Sequence, residues 1–285
     1  MDENTNPPAQ QQSPPGHTSA MRPDPADEMA GYAGRGLLEG KVALVTGGDS
    51  GIGRAVCVAF AKEGADIALA YLSEDSDAKH TAELVHSQGR RCLMISGDLA
   101  DAQHCADVVR RVIDELDRLD VLVNNVATQQ PVDAVEDLSD EQWLRTFDVN
   151  IHSYFRMTKA ALPHLRPGSA IINTGSVNGL RGNKTLIDYS ATKGAVHVLT
   201  YSLAQTLLDR GIRVNCVAPG PVWTPLIPST MPPEKVESFG TQVPMGRAAD
   251  PDEIAPSYVF FAAQQLSSYY TGEVLAPIGG ETLPG

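Results

Sequence analysis

The chain has 285 residues, 42% of them apolar, and a formal net charge of -13. That length fits one large α/β domain or two small ones, and the acidic balance disfavours nucleic acid or an anionic membrane surface as a partner. No apolar run is long enough to span a bilayer, and the polar start Met1-Asp2-Glu3 lacks the shape of a signal peptide, so a cytoplasmic protein is expected. Cys57, Cys92, Cys105 and Cys216 form no Cys-x-x-Cys pair and read as reduced thiols. The seven histidines form no ligand spacing, so no metal is expected.

Residues 1–37 form a polar extension in which Pro7, Pro8, Pro14, Pro15, Pro23 and Pro25 sit among Gln, Asn and Ser. So few large apolar side chains cannot offset the ordering entropy, which predicts disorder to about Pro15. Beyond it two readings stay open: more disorder, or an arm anchored by Met21, Met29 and Tyr32 on its own subunit or a neighbour.

Val42-Ala-Leu-Val45 is a short apolar run of the kind buried on both faces of a sheet. Gly47, Gly48, Gly51 and Gly53 follow, and then Ala55, Val56, Val58, Ala59 and Phe60 line one side of a helix that Gly64 ends. Strand, glycine turn, helix is the setting of a phosphate site. Missing side chains admit backbone N–H groups to a pyrophosphate, and the helix N-terminus favours an anion. The spacing here is Gly-x-x-x-Gly-x-Gly, and a plain tight turn is the bland alternative.

Asp66–Leu72 reads as a second strand, and Thr81, Ala82, Leu84 and Val85 as part of a helix stopping at Gly89. Cys92–Ser96 is a third strand. A helix over Asp101–Leu116 carries Val108, Val109, Val112, Ile113 and Leu116 on one face, and Val121-Leu-Val123 is a fourth strand ending in Asn124-Asn125. The capping-box pattern Ser139-x-x-Gln142 starts a long helix that contains Asn150 and runs towards Pro163. Ala170–Thr174 is a fifth strand, leading to Ser176. A long helix over Asp188–Leu208 and a sixth strand, Arg213–Val217, precede Pro221–Ala249, whose Pro, Ser, Thr and Met content suits a mobile cover or a plain surface loop. Pro251–Ala263 is the last helix and Val274–Ile278 the last strand. This alternation predicts one doubly wound, Rossmann-type α/β domain: a parallel sheet of about seven strands with helices on both faces.

Ligands of such sheets bind at the carboxyl ends of the strands. Those ends carry Gly47 to Gly53, Tyr71, Asp98, Asn125, Ser176 and Pro219-Gly220. Tyr189 and Lys193 lie four apart on one helix face, where a cation would lower a phenol pKa from its usual value near ~10. A shift of ~3 units corresponds to ~4 kcal/mol. Tyr-x-x-x-Lys alone is common; it gains meaning beside a cofactor turn and a hydroxyl.

Thr46-Gly-Gly-Asp-Ser-Gly-Ile-Gly53, Asp98-Leu99, Asn124-Asn125, Asn150, Ser176, Tyr189-x-x-x-Lys193 and Pro219-Gly-Pro-Val-Trp-Thr224, in this order and spacing, resemble the short-chain dehydrogenase/reductase family over residues 38–285. The extension and the Gly279-Gly280-Glu281 ending resemble a bacterial subgroup of aldehyde reductases and general stress oxidoreductases. The resemblance implies a catalytic domain over 38–285 and a cofactor, NAD or NADP, held by Gly47, Asp49, Ser50, Gly51, Ile52, Gly53, Tyr71, Asp98, Leu99 and Asn125. Of these, Asp98 would contact the adenine and Asn125 would steady the central strand. Pro219, Gly220, Val222 and Thr224 would frame the nicotinamide carboxamide. Tyr189 would be the acid/base, Ser176 would polarise the substrate oxygen, Lys193 would hold the nicotinamide ribose and depress the tyrosine pKa, and Asn150 would anchor a water leading from Lys193 to solvent. A homotetramer built through the two long helices and the last strand is also implied.

Two departures stand out. Val126-Ala127 replaces the family's Ala-Gly, adding bulk near the cofactor ribose. Tyr71 stands where an acid would select NAD, and Glu74, Asp75 and Asp77 would repel a 2′-phosphate, although Ser50 could bond one; the coenzyme stays open. The expected reaction is hydride transfer between nicotinamide and an alcohol/carbonyl pair, with an aldehyde or sugar-type substrate favoured and a 3-oxoacyl or steroid substrate as runner-up. A non-catalytic dinucleotide-binding redox sensor is the alternative, against which the intact Asn150, Ser176, Tyr189 and Lys193 argue. His152, His164 and His197 read as structural; Arg181 and Gln130 could face the substrate, with a solvated role favoured; Trp223 reads either as pocket lining or as packing beneath the cover.

Overall fold

Seven strands, β1 (Val42–Thr46), β2 (Asp66–Tyr71), β3 (Cys92–Ser96), β4 (Val121–Asn124), β5 (Ala170–Thr174), β6 (Arg213–Val217) and β7 (Val274–Leu275), pair in parallel in the order β3-β2-β1-β4-β5-β6-β7. This computed structural model describes residues 6–282. Every residue of β1, β2, β4, β5 and β6 is buried, which is why these strands read as apolar runs and not as alternating patterns. Strand order reverses between β1 and β4, so the loops leaving those two strands diverge and open a crevice there.

Two apolar layers cover the sheet. One packs Val56, Phe60 and Val58 of α1 (Gly51–Lys62) with Ala78 and Val85 of α2 (Asp75–Ser87) and Ile254, Tyr258 and Phe261 of α10 (Pro251–Ala262). The other packs Val108, Val109 and Val112 of α3 (Ala102–Leu116) with Met157 of α5 (Ser153–Ala161) and Ala204 and Leu207 of α7 (Ile187–Leu207). Local chemistry sets the ends. Asp101 Oδ1 caps α3 by accepting from Gln103 N at 2.8 Å, and Ser139 Oγ caps α4 (Asp140–Phe147) by accepting from Gln142 N at 3.1 Å. Asp250 and Glu253 form a full capping box on α10, with Pro251 in its first turn. Asp188 ties α4 to α7, taking bonds from Thr146 Oγ1 at 2.7 Å and Gln142 Nε2 at 3.2 Å.

Three expectations need correction. The helix expected to run unbroken through Asn150 is split: a π-type turn over Asp148–His152 separates α4 from α5. Asn150 sits inside that turn with its amide bonded to the loop after β4, and a single wide turn is what re-aims a side chain within a helix. The last strand stops at Leu275, because Pro277 has no N–H for a ladder; its carbonyl instead accepts from Gly220 N at 3.0 Å. The segment between β6 and α10, expected to be weakly ordered, holds two short helices, α8 (Leu226–Thr230) and α9 (Pro233–Glu237); a further short helix, α6 (Val177–Arg181), follows β5.

The extension lies across its own subunit. Where a free coil was expected to Pro15, Pro7 is buried and Gln12 N donates to Pro228 O at 2.8 Å, so backbone bonding supplies what apolar side chains do not. Met21 is fully buried with Trp223, Ile227 and Val236 under the cover, and Met29 joins the core against α1 and α10. Trp223 therefore packs beneath the cover, its Nε1 donating to Pro23 O at 2.9 Å. Further on, Lys62 Nζ donates to Met29 O at 2.6 Å, and the wholly buried Glu63 accepts from Tyr32 Oη, Arg35 N and Leu37 N.

Arg54, 1% exposed, closes the arm onto the sheet. Its guanidinium bonds Asp27 at 3.1 and 3.2 Å, Asp77 at 3.0 Å, Thr81 Oγ1 at 3.0 Å and Asp49 O at 2.9 Å. Burial pushes the Asp27 carboxyl up to about 6 against the lowering pull of Arg54. Arg54→Met strips the cation from between two buried carboxylates and is expected to cost about 3–5 kcal/mol in urea unfolding at neutral pH. Asp27 takes up a proton readily, so that loss should shrink when the titration is repeated at pH 5.

Candidate active site

The glycine turn is built by contact. Gly47 sits at φ +64°, a left-handed conformation that carries the chain off β1, and its N–H donates to Ala70 O at 2.7 Å. Gly53 lies so close beneath it that a Cβ would fall 1.8 Å from Gly47 O. Gly53 thus acts by close packing and does not itself face the crevice. Gly51 N donates to Asp27 Oδ2 at 3.2 Å, so the arm caps the first amide of α1. The amides of Ile52 and Gly53 find no protein partner among the described residues. Orphan N–H groups at a helix start behind a side-chain-free turn fit the pyrophosphate of a dinucleotide.

Around the turn, the neighbouring strand ends are locked together. Asn125 Nδ2 donates to Thr46 O at 3.1 Å and Gly47 O at 3.2 Å, and its Oδ1 accepts from Thr174 Oγ1 at 3.3 Å, joining β1, β4 and β5. Val126, the bulkier of the two departures, donates its N–H to Thr46 Oγ1 at 3.1 Å, and its carbonyl accepts from Tyr154 Oη at 3.1 Å. On the β2 side the wall is acidic. Tyr71 Oη donates to Asp75 Oδ1 at 2.6 Å, Glu74 is 5% exposed, and burial lifts Asp49 to about 6. Asp98 is partly shielded, which alone would raise it, but Arg145 Nη1 at 2.7 Å and Ala100 N at 2.9 Å hold it below the usual carboxylate range.

The polar triad gathers at the β5 end. Ser176 caps α6, its Oγ accepting from Asn178 N at 3.1 Å, and Tyr189 and Lys193 project from one face of α7. Lys193 is 1% exposed; its Nζ donates to Thr174 O at 2.6 Å and Tyr154 Oη at 3.3 Å and lies 5.7 Å from the Tyr189 ring centroid. The expected depression of the tyrosine pKa is not what this arrangement produces. Burial raises the Tyr189 phenol, with the Ser176 hydroxyl pulling the other way, and burial lowers Lys193 to about 8. The cation is itself desolvated and is held towards β5. Asn150 does not bond Lys193: its Oδ1 accepts from Thr128 N at 2.8 Å and its Nδ2 donates to Thr128 O at 2.8 Å and Thr192 Oγ1 at 3.1 Å.

One cleft of about 570 Å³ joins these parts. Its wall includes Gly47, Asp49, Ser50, Gly51 and Ile52 of the turn, then Tyr71, Asp98, Leu99 and Asn125, and at the far end Ser176, Tyr189, Lys193, Pro219, Gly220, Val222 and Thr224. Gly53 and Asn150 stand behind that wall as supports. Sequence reasoning missed several members. Tyr154, one turn beyond Asn150, braces Lys193. His197, one turn beyond Lys193 and held neutral near 4 by burial and the lysine charge, accepts from Ser176 N at 3.4 Å. Arg181, for which a solvated role was favoured over one facing the substrate, lines the cleft and is ion-paired to Glu281, while Pro14, Pro15 and Gly16 bring the arm into its wall. Helical spacing marked Tyr154 and His197; nothing local marked the others.

Comparison with known proteins places this cleft in context. The family profile described as Enoyl-(Acyl carrier protein) reductase matches residues 47–282. General stress protein 39 of Bacillus subtilis is 52% identical over 274 residues, covering 96% of each chain. Glucose and ribitol dehydrogenase of Daucus carota is 49% identical, covering 98% of each. NADPH-dependent aldehyde reductase 1, chloroplastic, of Arabidopsis thaliana is 47% identical over 95% of this chain and 96% of its own. A short chain dehydrogenase from Burkholderia cenocepacia, solved in complex with NADP, superposes with a TM-score of 0.80 at 31% identity, over 85% of this chain and 98% of that one.

Gly53→Ala forces a methyl into the Gly47 carbonyl and must part α1 from β1. The expected result is a loss of about 1–3 kcal/mol in thermal or urea unfolding and a clear drop in the affinity for added NADH or NADPH, read by nicotinamide fluorescence.

Proposed function

From its place in the short-chain dehydrogenase/reductase family, to which the chain belongs, we propose that it is an NAD(P)-dependent oxidoreductase of aldehyde or sugar-type carbonyls and the matching alcohols, with Tyr189 as acid/base. The observation that carries this reading is the meeting of the Tyr189 phenol, the Ser176 hydroxyl and the Lys193 ammonium at one end of a cleft that begins at the glycine turn. When bound, the nicotinamide supplies or accepts the hydride. The chain supplies position and a proton. Ser176 bonds the substrate oxygen where charge develops, and Tyr189, protonated in the dry site, hands its phenol proton to that oxygen during reduction. Lys193, fixed by Thr174 O and Tyr154 Oη, faces the ring whose charge then appears. Asn150 ties α7, which carries Tyr189 and Lys193, to the loop after β4, and His197 accepts from the Ser176 backbone.

The coenzyme reading keeps both NAD and NADP. The wall beyond β2 is acidic and Arg54 is committed to Asp27 and Asp77, which suits NAD; a relative's NADPH dependence and a neighbour's bound NADP favour the other. A homotetramer is part of the same reading. Trp143 and Leu144 on α4, Phe155 on α5 and Val198 on α7 are exposed apolar side chains, as are Leu275 in the edge strand β7 and Tyr269 shortly before it. Light scattering at four chain masses is the expected outcome.

Purified protein mixed with NADH or NADPH and a panel of aldehydes should consume the nicotinamide absorbance. Tight coenzyme binding with no turnover on any carbonyl would instead indicate a redox sensor. Tyr189→Phe should lower kcat by about 10²–10⁴ with coenzyme Kd nearly unchanged. The pH profile follows from the groups that face the reaction. Because burial raises the Tyr189 phenol, the proton donor stays loaded through neutrality, and kcat/KM for reduction should be flat from about pH 6 to 7. Through about pH 8 Lys193 loses its proton and the rate should fall with a midpoint near there.

A further inference from the structure

The N-terminal arm crosses the cleft at the glycine turn. At one end Gln12 N donates to Pro228 O at 2.8 Å, in α8 of the cover beyond β6. At the other, Thr18 N donates to Asp77 Oδ2 at 3.2 Å, in the first turn of α2 beyond β2, and His17 Nδ1 lies 3.7 Å from the same oxygen. Strands β2 and β6 stand on opposite sides of β1 in the sheet. A segment tied to the elements that follow both must pass in front of the carboxyl end of β1, where residues 47–51 form the turn. Contacts agree with this path. Gly16 packs so closely on the cover that a Cβ would fall 2.7 Å from Pro225 O. A Cβ on Gly51 would fall 2.9 Å from Thr224 Cγ2, so arm and turn meet the same step of the cover. Pro14 and Pro15, midway along the crossing, are exposed and line the cleft.

We propose that residues 12–18 form a coenzyme-retaining strap, which closes over a dinucleotide seated at the glycine turn and must lift for the coenzyme to enter or leave. The inference rests on the oxidoreductase reading above. The crossing is lightly held. Among the described residues only the two end bonds and the His17–Asp77 contact tie it to the rest of the fold, beside one internal brace, His17 N to Gln12 Oε1 at 2.7 Å. Each end also buries a polar atom with no partner among the described residues, Gln12 Nε2 and Thr18 Oγ1. A segment with few bonds and unmet polar groups opens at low cost without global unfolding. Pro14 and Pro15 present rings and no N–H to the cleft. The strap therefore slows passage in both directions and adds little recognition of its own.

Coenzyme exchange in the full-length protein tests this without turnover. Binding of NADH and NADPH is followed by nicotinamide fluorescence in stopped flow, and release by a chase with excess oxidised coenzyme. Gly16→Ala sets a methyl against Pro225 O at a residue with φ +86° and lifts the strap. It should raise koff by about tenfold and kon by a smaller factor, so that Kd rises less than koff. Gln12→Ala removes the internal brace and should move both rates the same way by less; it serves if Gly16→Ala folds poorly. Gly31→Ala, in the same arm but with open space around it, should match wild type. Tm should stay within a few degrees in all three. Unchanged koff in both strap variants would overturn the proposal. A rise in koff without a rise in kon would mark ordinary damage to the site and overturn it too, as would a fall in Kd, which would make the segment an inhibitor of binding. A wild type that binds neither NADH nor NADPH would overturn the oxidoreductase reading instead.

Discussion

The approach of α1 to the end of β1 is the constraint on which the rest depends. With Gly53 seated under the Gly47 carbonyl, the helix begins a bond length closer to the strand than any side chain would allow. That closeness sets the start of α1, with Gly51 and Ile52, in the wall of the crevice at the β1–β4 reversal. It also brings Arg54, the next residue, into a buried position beside the turn, where it gathers Asp27, Asp77 and the Asp49 carbonyl. One glycine contact therefore sets both the dinucleotide cradle and the anchor point of the N-terminal arm.

The arm in turn makes the two halves of the cleft one unit. On the turn side Asp27 bonds Gly51 N and Arg54; on the cover side Pro23 O accepts from Trp223 and Met21 packs with Ile227 and Val236. Pro14, Pro15 and Gly16 close the span between them as part of the cleft wall. A proline-rich strap suits this task, since each ring fixes φ in the unfolded chain and reduces the entropy lost on docking. The cover between β6 and α10 has short helices and weak periodicity of its own, and much of its order comes from this strap.

The sheet, its strand order and the residues at the strand ends were legible because each rests on a local signal. Buried parallel strands are apolar throughout, glycine spacing marks the turn, and capping residues mark helix starts. What stayed hidden was set by partners distant in sequence. Disorder was read from the composition of residues 6–15, but the backbone of Gln12 finds Pro228, more than two hundred residues away. Nothing around Arg181 announces Glu281. The π-type turn at Asn150 hides for another reason: its sequence is helical, and only the competing bonds to Thr128 and Thr192 make a wide turn the better solution.

The pair Tyr189 and Lys193 shows why spacing alone misjudges electrostatics. Four residues apart on a helix, phenol and ammonium share a face, and in water the cation would favour the phenolate. Here both groups are buried, and the desolvation cost falls on each charged form: it raises the phenol and lowers the amine. The ammonium spends its strongest bond on Thr174 O at 2.6 Å, and His197 behind it is kept neutral by the same burial and by that charge. In the proposed reaction this arrangement suits a proton donor, since burial favours the protonated phenol beside the Ser176 hydroxyl. On the proposed reading, charge on the phenolate would develop opposite a lysine already fixed in place, which would concentrate the stabilisation in the transition state and not in the resting protein.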